Sequence, residues 1–591
     1  MFKKLWNYKK VNGMFIDNFN DNYSKSMKAE KIIALEDHMF ISDDGQHDNL
    51  SEKGLSQYQA TNQAHQILHN LYICGSNNEN NKRWLEILAP SLSLYFVSKL
   101  IRMLHILRQL PSDISWKNYS TNGMLTSIAK GILSDSKSTY KALFSKRSIK
   151  DYFHINFPTT LSNNRLIHLK RDKNYESQKS QIKKNGVLLW STNIAHEPVT
   201  CKIAELLVSD NIPSYCVVSR KIDFPFVIPQ TTLRDAPWKQ TLKKDLISLR
   251  IFLDYIAEYI VNHLVIEATE SSKTEMVKFL RGKLEVFFVP QVADAFALAQ
   301  RALDLFEPQT VFIKDIGDYQ TRALAWSARR KNISVWHLQQ GTITADAIEW
   351  KWDIADKHFV WGEWSRELVI ALGLPEKNIY ITGTPKLSPL SVSQKIKPMH
   401  TISRPRALFT LMPASPLTFG NGGALNLSEC QGIMKLLFKW VKLMEGRITL
   451  QIKPRPLGDH DWFDSFRSDL PAHVEILSND LSVSKALDNT NIVMTTHSTV
   501  AIDAITMHKP LVFLDWGYRP HPFLEAVNYG AAAIADNCDK LKYVTEKLLF
   551  NKNYSEKMIR KQMNYWNRMA KYTGEESAKK ITSLLSKASI H

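Results

Sequence analysis

Residues 491–515 read NIVMTTHSTVAIDAITMHKPLVFLD, and this stretch decides the fold. Two short apolar runs, 492–495 and 511–514, flank a segment with helical spacing. The pattern is a buried strand, a tight turn, a helix and a second buried strand, the unit of a parallel sheet. The turn His497-Ser498-Thr499 opens the helix, so hydroxyls and unpaired backbone N–H groups meet at its N-terminus. Such a terminus is a seat for phosphate. His497 either donates to that phosphate or caps the turn. Asp503, at i+4 from Thr499, falls on the same helix face and suits the hydroxyls of a ribose. The plainer reading of Ser498, Thr499 and Asp503 is a helix cap with a solvated carboxylate.

The same alternation extends outward. Upstream, 407–411 reads as a strand whose loop carries Gly420, Gly422 and Gly423. An amphipathic helix at 431–444 follows, then strands at 447–453 and 474–477 and a helix at 482–488. The strand at 447–453 ends in Lys453-Pro454-Arg455-Pro456. Before a polar linker at 388–404 lies an earlier series of strands, at 187–190, 212–218, 310–314, 334–338, 357–361 and 378–382, interleaved with helices. The expected fold class is α/β: two tandem doubly wound, Rossmann-like domains with a helical N-terminal extension. The expected units are a mainly helical region and basic linker at 1–185, a first domain at 186–390, and a second at 391–591 with a helical basic tail.

Lys and Arg number 76 against 58 Asp and Glu, a formal net charge of +18. This balance favours an anionic partner without choosing among nucleotide, lipid surface and nucleic acid. No nucleic-acid-binding motif accompanies it, and none is expected as a partner. The five cysteines are scattered with no CxxC pair, so neither a disulfide framework nor a zinc site is expected. The N-terminus lacks the continuous apolar core of a secretory signal. No apolar run reaches the roughly 18 residues needed to span a bilayer. The expected location is cytoplasmic, peripheral on the inner face of the membrane. Residues 84–110, WLEILAPSLSLYFVSKLIRMLHILRQL, are either a helix packed on the next domain or an amphipathic helix docked on an anionic membrane.

Two segments carry a family resemblance. Leu338-Gln339-Gln340-Gly341, then Asp356-Lys357-His358-Phe359-Val360-Trp361-Gly362-Glu363-Trp364, then Thr382-Gly383-Thr384-Pro385-Lys386 form the first. Lys453-Pro454-Arg455-Pro456 and Ser498-Thr499-Val500-Ala501-Ile502-Asp503-Ala504 form the second. Over roughly 186–540 the chain resembles GT-B-fold transferases of bacterial surface polysaccharides, including capsule enzymes and polymerases that use CDP-glycerol. It departs from them at Gln340 and Arg455, where the family has histidines. Gln340 cannot act as a base, while Arg455 still suits a diphosphate.

The resemblance implies a glycosyltransferase that moves a sugar from a nucleotide donor, UDP- or CMP-linked and used as substrate, to a lipid-linked or growing surface glycan. No separate cofactor is implied. Ligands of open α/β sheets sit beyond the carboxyl ends of the strands. Lys453, Arg455, His497, Ser498, Thr499 and Asp503 are therefore expected to hold the donor. Asn193, Gln340, Gly341 and Thr384 are expected to contact substrate. The base that deprotonates the acceptor is sought among His196, Glu197, Asp315 and Asp318, although Glu197 also reads as a first-turn helix acid. Asp315 also reads as a structural cap. Lys453 and Arg455 can take the charge of the departing phosphate, and with no DxD in a suitable loop no metal is expected. The competing readings are a polyol-phosphate transferase using a CDP donor, a non-hydrolysing sugar-nucleotide epimerase, and a non-catalytic anion-binding module.

Overall fold

The computed structural model describes residues 57–74, 78–108, 184–191, 197–218, 241–266, 268–314, 316–343, 348–387, 404–411, 427–454, 463, 466–467, 470–496, 498–515 and 524–589, together with short strands at 13–16, 31–34, 39–42, 47–49, 116–119, 139–140 and 227–229. The strands at 13–140 number six: β1 (Gly13–Ile16), β2 (Lys31–Ala34), β3 (Met39–Ser42), β4 (His47–Asn49), β5 (Trp116–Tyr119) and β6 (Thr139–Tyr140). They form one mixed sheet in the order β4-β3-β2-β1-β5-β6. The N-terminal region thus holds a sheet as well as the helices expected there. Runs of two to four residues are too short to display the alternation that identifies a strand.

The first large sheet comprises β7 (Val187–Trp190), β8 (Ser214–Val218), β9 (Val227–Pro229), β10 (Thr310–Ile313), β11 (Ser334–Leu338), β12 (Lys357–Val360) and β13 (Ile379–Ile381). Its order is β13-β12-β11-β10-β7-β8-β9, and every pairing is parallel. The second comprises β14 (Arg406–Thr410), β15 (Thr449–Lys453), β16 (Val474–Ile476), β17 (Ile492–Thr495), β18 (Leu511–Leu514) and β19 (Ala533–Ala535). Its order is β16-β15-β14-β17-β18-β19, again entirely parallel. The central strands are buried along their length, which explains their unbroken apolar runs: a parallel sheet is covered on both faces. The edge strands β9 and β19 are not among the strands read from the sequence, whereas the equally short edge strands β13 and β16 are.

Helices 57–108 do not stand apart. Gln57–Cys74, Glu79–Leu92 and Ser98–Arg108 share one core with Thr241–Leu264 and the first half of Glu270–Phe306. Pro90 sits inside its helix, and the Glu86 carbonyl that its missing N–H would have satisfied accepts instead from Arg322 Nη1 at 2.7 Å. The segment Glu79–His105 is long and apolar enough to cross a membrane, yet 89% of its most apolar window is buried inside the protein. Its apolar surface is spent on neighbouring helices and is not presented to a bilayer. Fully buried Arg322 fixes this layer to the first sheet domain. Its guanidinium donates to the carbonyls of Glu86, Glu349, Ile316 and Trp352.

The C-terminal tail is divided. Cys538–Phe550 packs in the core of the second sheet, and Lys552–Met569 packs on its other face. Gly574–Ser589 crosses back: Ile581 and Leu585 lie among Val187, Leu189, Val199 and Ile203 of the first domain. An amphipathic stripe states that a helix is buried, not which of two similar sheets buries it.

Candidate active site in the interdomain cleft

Each large sheet reverses its winding once. In the first, the chain runs β7-β8-β9 to one side and β10-β11-β12-β13 to the other, so the switch point lies between β7 and β10. In the second it lies between β14 and β17. The crevice beyond the carboxyl ends at such a point is where open α/β sheets bind ligands. The segment 192–197 follows β7, residues 314–318 follow β10, and 496–499 follows β17. The sequence-derived candidates His196, Glu197, Asp315, Asp318, His497, Ser498 and Thr499 therefore belong to the loops that flank the two switch points.

The helix Val500–Thr506 is short, and its first N–H groups already have partners. Val500 N–H donates to Ser498 Oγ at 3.3 Å. Ala501 and Ile502 donate to the carbonyls of Ser498 and Thr499 at 3.0 and 2.9 Å. The supply of free backbone donors is narrower than the sequence suggests. Thr499 is exposed and makes no side-chain capping bond, so its hydroxyl remains for a ligand. Asp503 is half-buried. Burial pushes its carboxyl above the ordinary aspartate range, opposed by the charge of Lys386. Lys386 follows β13 of the first domain, so this carboxylate of the second domain feels the charge of a cation of the first.

Lys453, at the end of β15, is 2% exposed. Its ammonium donates to Pro454 O at 2.6 Å and Asn479 O at 3.1 Å. Two of its three donors are thereby committed to fixing the strand end. Burial lowers its pKa, with Asp480 acting in the opposite direction.

On the first-domain side, Asp318 caps the helix Tyr319–Arg330. Its two oxygens accept from Thr321 N–H at 2.8 Å and Thr321 Oγ1 at 2.7 Å. This geometry is that of a structural cap. Gln340 is half-buried beside Gly341, where an added Cβ would meet open space. Thr384 is 2% exposed; its N–H donates to Tyr572 O at 3.0 Å and its carbonyl accepts from Gly574 N–H at 3.3 Å. It joins the domains through the backbone. Asn193, His196, Asp315, Arg455 and His497 lie outside the described residues, and of Glu197 only its place at the start of the helix Glu197–Ser209 is described.

The motif residues around these positions build the junction. Gln339 is a clamp: its Oε1 accepts from Trp361 N–H at 2.8 Å, its carbonyl from Trp361 Nε1 at 3.0 Å, and its Nε2 donates to Gly341 O at 2.8 Å. Trp361 and Leu387 of the first domain enter the second domain's core beside Leu408, Trp566 and Met569. The segment 568–573 passes directly over Gly362 and Gly383. A Cβ on Gly362 would lie 2.2 Å from Arg568 O, and one on Gly383, at φ +72°, would lie 1.8 Å from Tyr572 O. Lys571 N–H donates to Trp361 O at 3.2 Å, and Thr384 pairs with Thr573 in a parallel bridge.

A cavity of about 530 Å³ opens at this junction. Pro198, Val199 and Lys202 line it from the helix after β7, Pro385 and Lys386 from the segment after β13, and Gly574, Glu575 and Ala578 from the returning helix. Lys202 and Lys386 are cations that sequence reading passed over. The position of Lys386 directly after Gly383-Thr384-Pro385 was the available signal. Lys202 had none, being one basic residue on a helix.

No family model and no curated protein matches the sequence. Among solved structures the chain is similar to a UDP-N-acetylglucosamine 2-epimerase, with 16% identity over 69% of this chain and 98% of that one and a TM-score of 0.42. A UDP-GlcNAc 2-epimerase from Neisseria meningitidis bound to UDP-GlcNAc is 15% identical over 68% and 99% of the two chains, with a TM-score of 0.42. A variant of the wall teichoic acid polymerase TagF is 11% identical over 76% and 99%, with a TM-score of 0.39.

Proposed function

We propose that the chain is a metal-independent glycosyltransferase acting on a nucleotide-sugar donor in the cleft between its two large sheets. One observation carries this reading. The candidate residues follow the carboxyl ends of strands in two doubly wound parallel sheets, and Asp503 of the second domain feels the charge of Lys386 of the first. A dinucleotide-like or nucleotide-sugar ligand bridging the domains has a ribose contact in Asp503. Its diphosphate is met by Thr499 and the remaining donor of Lys453, with Arg455 as a further cation from the loop after β15. The acceptor enters from the loops after β7 and β10. A carboxylate or imidazole there, His196, Glu197 or Asp315, takes the proton of the acceptor hydroxyl as its oxygen bonds to the sugar carbon. The bond from that carbon to the phosphate oxygen breaks, and the nucleoside diphosphate leaves with its charge neutralised by the cations. A lipid-linked or growing surface glycan as acceptor follows only from the family resemblance.

Thermal-shift titration with UDP, CMP, CDP and GDP tests the reading. One nucleotide raises the melting temperature of the wild-type chain, and the shift shrinks in Asp503→Asn and Lys386→Ala. Indifference to all four would sink it. If UDP binds, incubation with UDP-GlcNAc alone in deuterated water separates the epimerase alternative. Exchange of the C2 proton without transfer would identify an epimerase and not a transferase.

A further inference from the structure

The geometry points to a zinc-binding site formed by His337, Asp353 and His358, none of which has a role in the proposed transferase activity. His337 on β11 and His358 on β12 are directly paired across the parallel ladder, so both side chains leave the same face of the sheet. The turn Ile348–Trp352 brings Asp353 over them. Asp353 Oδ2 lies 2.7 Å from His337 Nδ1 and 3.0 Å from His358 Nδ1. The candidate ligand atoms of the three residues all lie within 4.8 Å of one another. The three side chains are 1%, 0% and 3% exposed.

A hydrogen-bonded carboxylate between two imidazoles leaves part of this geometry unexplained. One oxygen faces two ring nitrogens: His337 Nδ1 bonds to Oδ2, while His358 Nδ1 lies 3.0 Å from the same oxygen without the geometry of a hydrogen bond. A buried ring nitrogen held beside a carboxylate without a hydrogen bond is costly as a neutral network and is an arrangement that a cation completes. The other oxygen, Oδ1, accepts from Ala355 N–H at 2.9 Å, which orients the carboxylate as an outer-shell partner does in metal sites. Two imidazole nitrogens and one carboxylate oxygen suit a borderline divalent ion, Zn²⁺ before Mg²⁺ or Ca²⁺, which prefer all-oxygen shells. A fourth position is available. Asp353 and His358 line a cavity of about 330 Å³ with Trp350, Asp356 and Asn378, room enough for a water ligand.

That cavity lies at the amino-terminal edge of the sheet, since Asp356 and Asn378 immediately precede β12 and β13. The ion would therefore pin the 348–355 segment to the sheet and take no part in the cleft chemistry. The carbonyl of Trp352, next to Asp353, holds Arg322, so the same segment joins the sheet to the helical layer. The test is Zn²⁺ titration of the full chain after chelator treatment, read by calorimetry and melting temperature, with Co²⁺ substitution read by its visible absorption. The expected result is saturable binding of one ion per chain and a raised melting temperature. A tetrahedral Co²⁺ spectrum is also expected. Asp353→Asn and His358→Gln should each weaken affinity by about tenfold or more. Absence of saturable binding in the wild-type chain overturns the site, as does unchanged affinity in both variants. The wild-type titration decides even if a variant fails to fold.

Discussion

The residue that couples most clearly to pH is Glu525, half-buried on the helix Leu524–Asn528. Burial pushes its carboxyl up to about 7; the nearby Arg568 charge opposes the shift and Glu367 adds to it. Arg568 and Glu367 themselves pair at 2.8 Å across the domain junction. A carboxyl whose folded pKa is raised favours the folded state in its protonated form. Its penalty is absent below the unfolded value near 4.5, grows as pH rises, and is complete above about 7. Glu525→Gln is expected to raise the melting temperature at pH 8 and leave it unchanged at pH 4. After allowance for solvent screening the gain amounts to about 1 kcal/mol. Equal effects at both pH values would remove the titration from the explanation. Asp503 shares the direction of shift and likewise has an opposing cation, Lys386.

At the scale of elements, the decisive contact is the crossing of 568–573 over the segments after β12 and β13. Gly383 holds a left-handed φ of +72° with the carbonyl of Tyr572 where a Cβ would be. Gly383→Ala adds the left-handed penalty of an L-residue, about 1–2 kcal/mol, to a steric clash with backbone that cannot rotate away. A loss of about 3 kcal/mol or more is expected in denaturant unfolding. An unchanged midpoint would mean that the crossing is loosely held. The family-like sequence Gly383-Thr384-Pro385 thus has a structural reason: it seats the returning chain and places Lys386 in the cleft. Gln339 has a similar reason, using its side chain to tie the ends of β11 and β12 together. Motif residues that read as substrate contacts in a linear sequence can be the frame on which such contacts hang.

For the whole molecule, the helices at 57–108 are part of the first domain's packing. Trp84, Leu88, Phe96 and Leu100 are at most 2% exposed within a core shared with Phe252, Phe288 and Trp352. Deleting residues 1–110 uncovers that face, and large contiguous apolar patches drive association. The expected product is an aggregating chain that binds a hydrophobic dye. A soluble, monodisperse chain that has merely lost vesicle binding would restore the membrane-docking reading of 84–110. The sequence could not separate these outcomes, because the same apolar helix satisfies a bilayer and a protein core equally well.

The sequence by itself determined the local units. Apolar runs of four or five residues bounded by turn residues and repeated between helical segments fit buried parallel strands, and 491–515 declares strand, turn, helix and strand in one reading. It also assigned the candidate residues to particular loops, since the carboxyl ends of strands follow from chain direction alone. Strand order, and with it both switch points, was decided by the tertiary structure. So were the return of Gly574–Ser589 to the first sheet, the electrostatic influence of Lys386 on Asp503, and the meeting of His337, Asp353 and His358. The physical reason is common to all of them. Periodicity reports whether a surface is buried, a property of one element, whereas partnership depends on register and packing between elements distant in the chain. His337 and His358 are separated by a turn and become neighbours only when β11 and β12 pair.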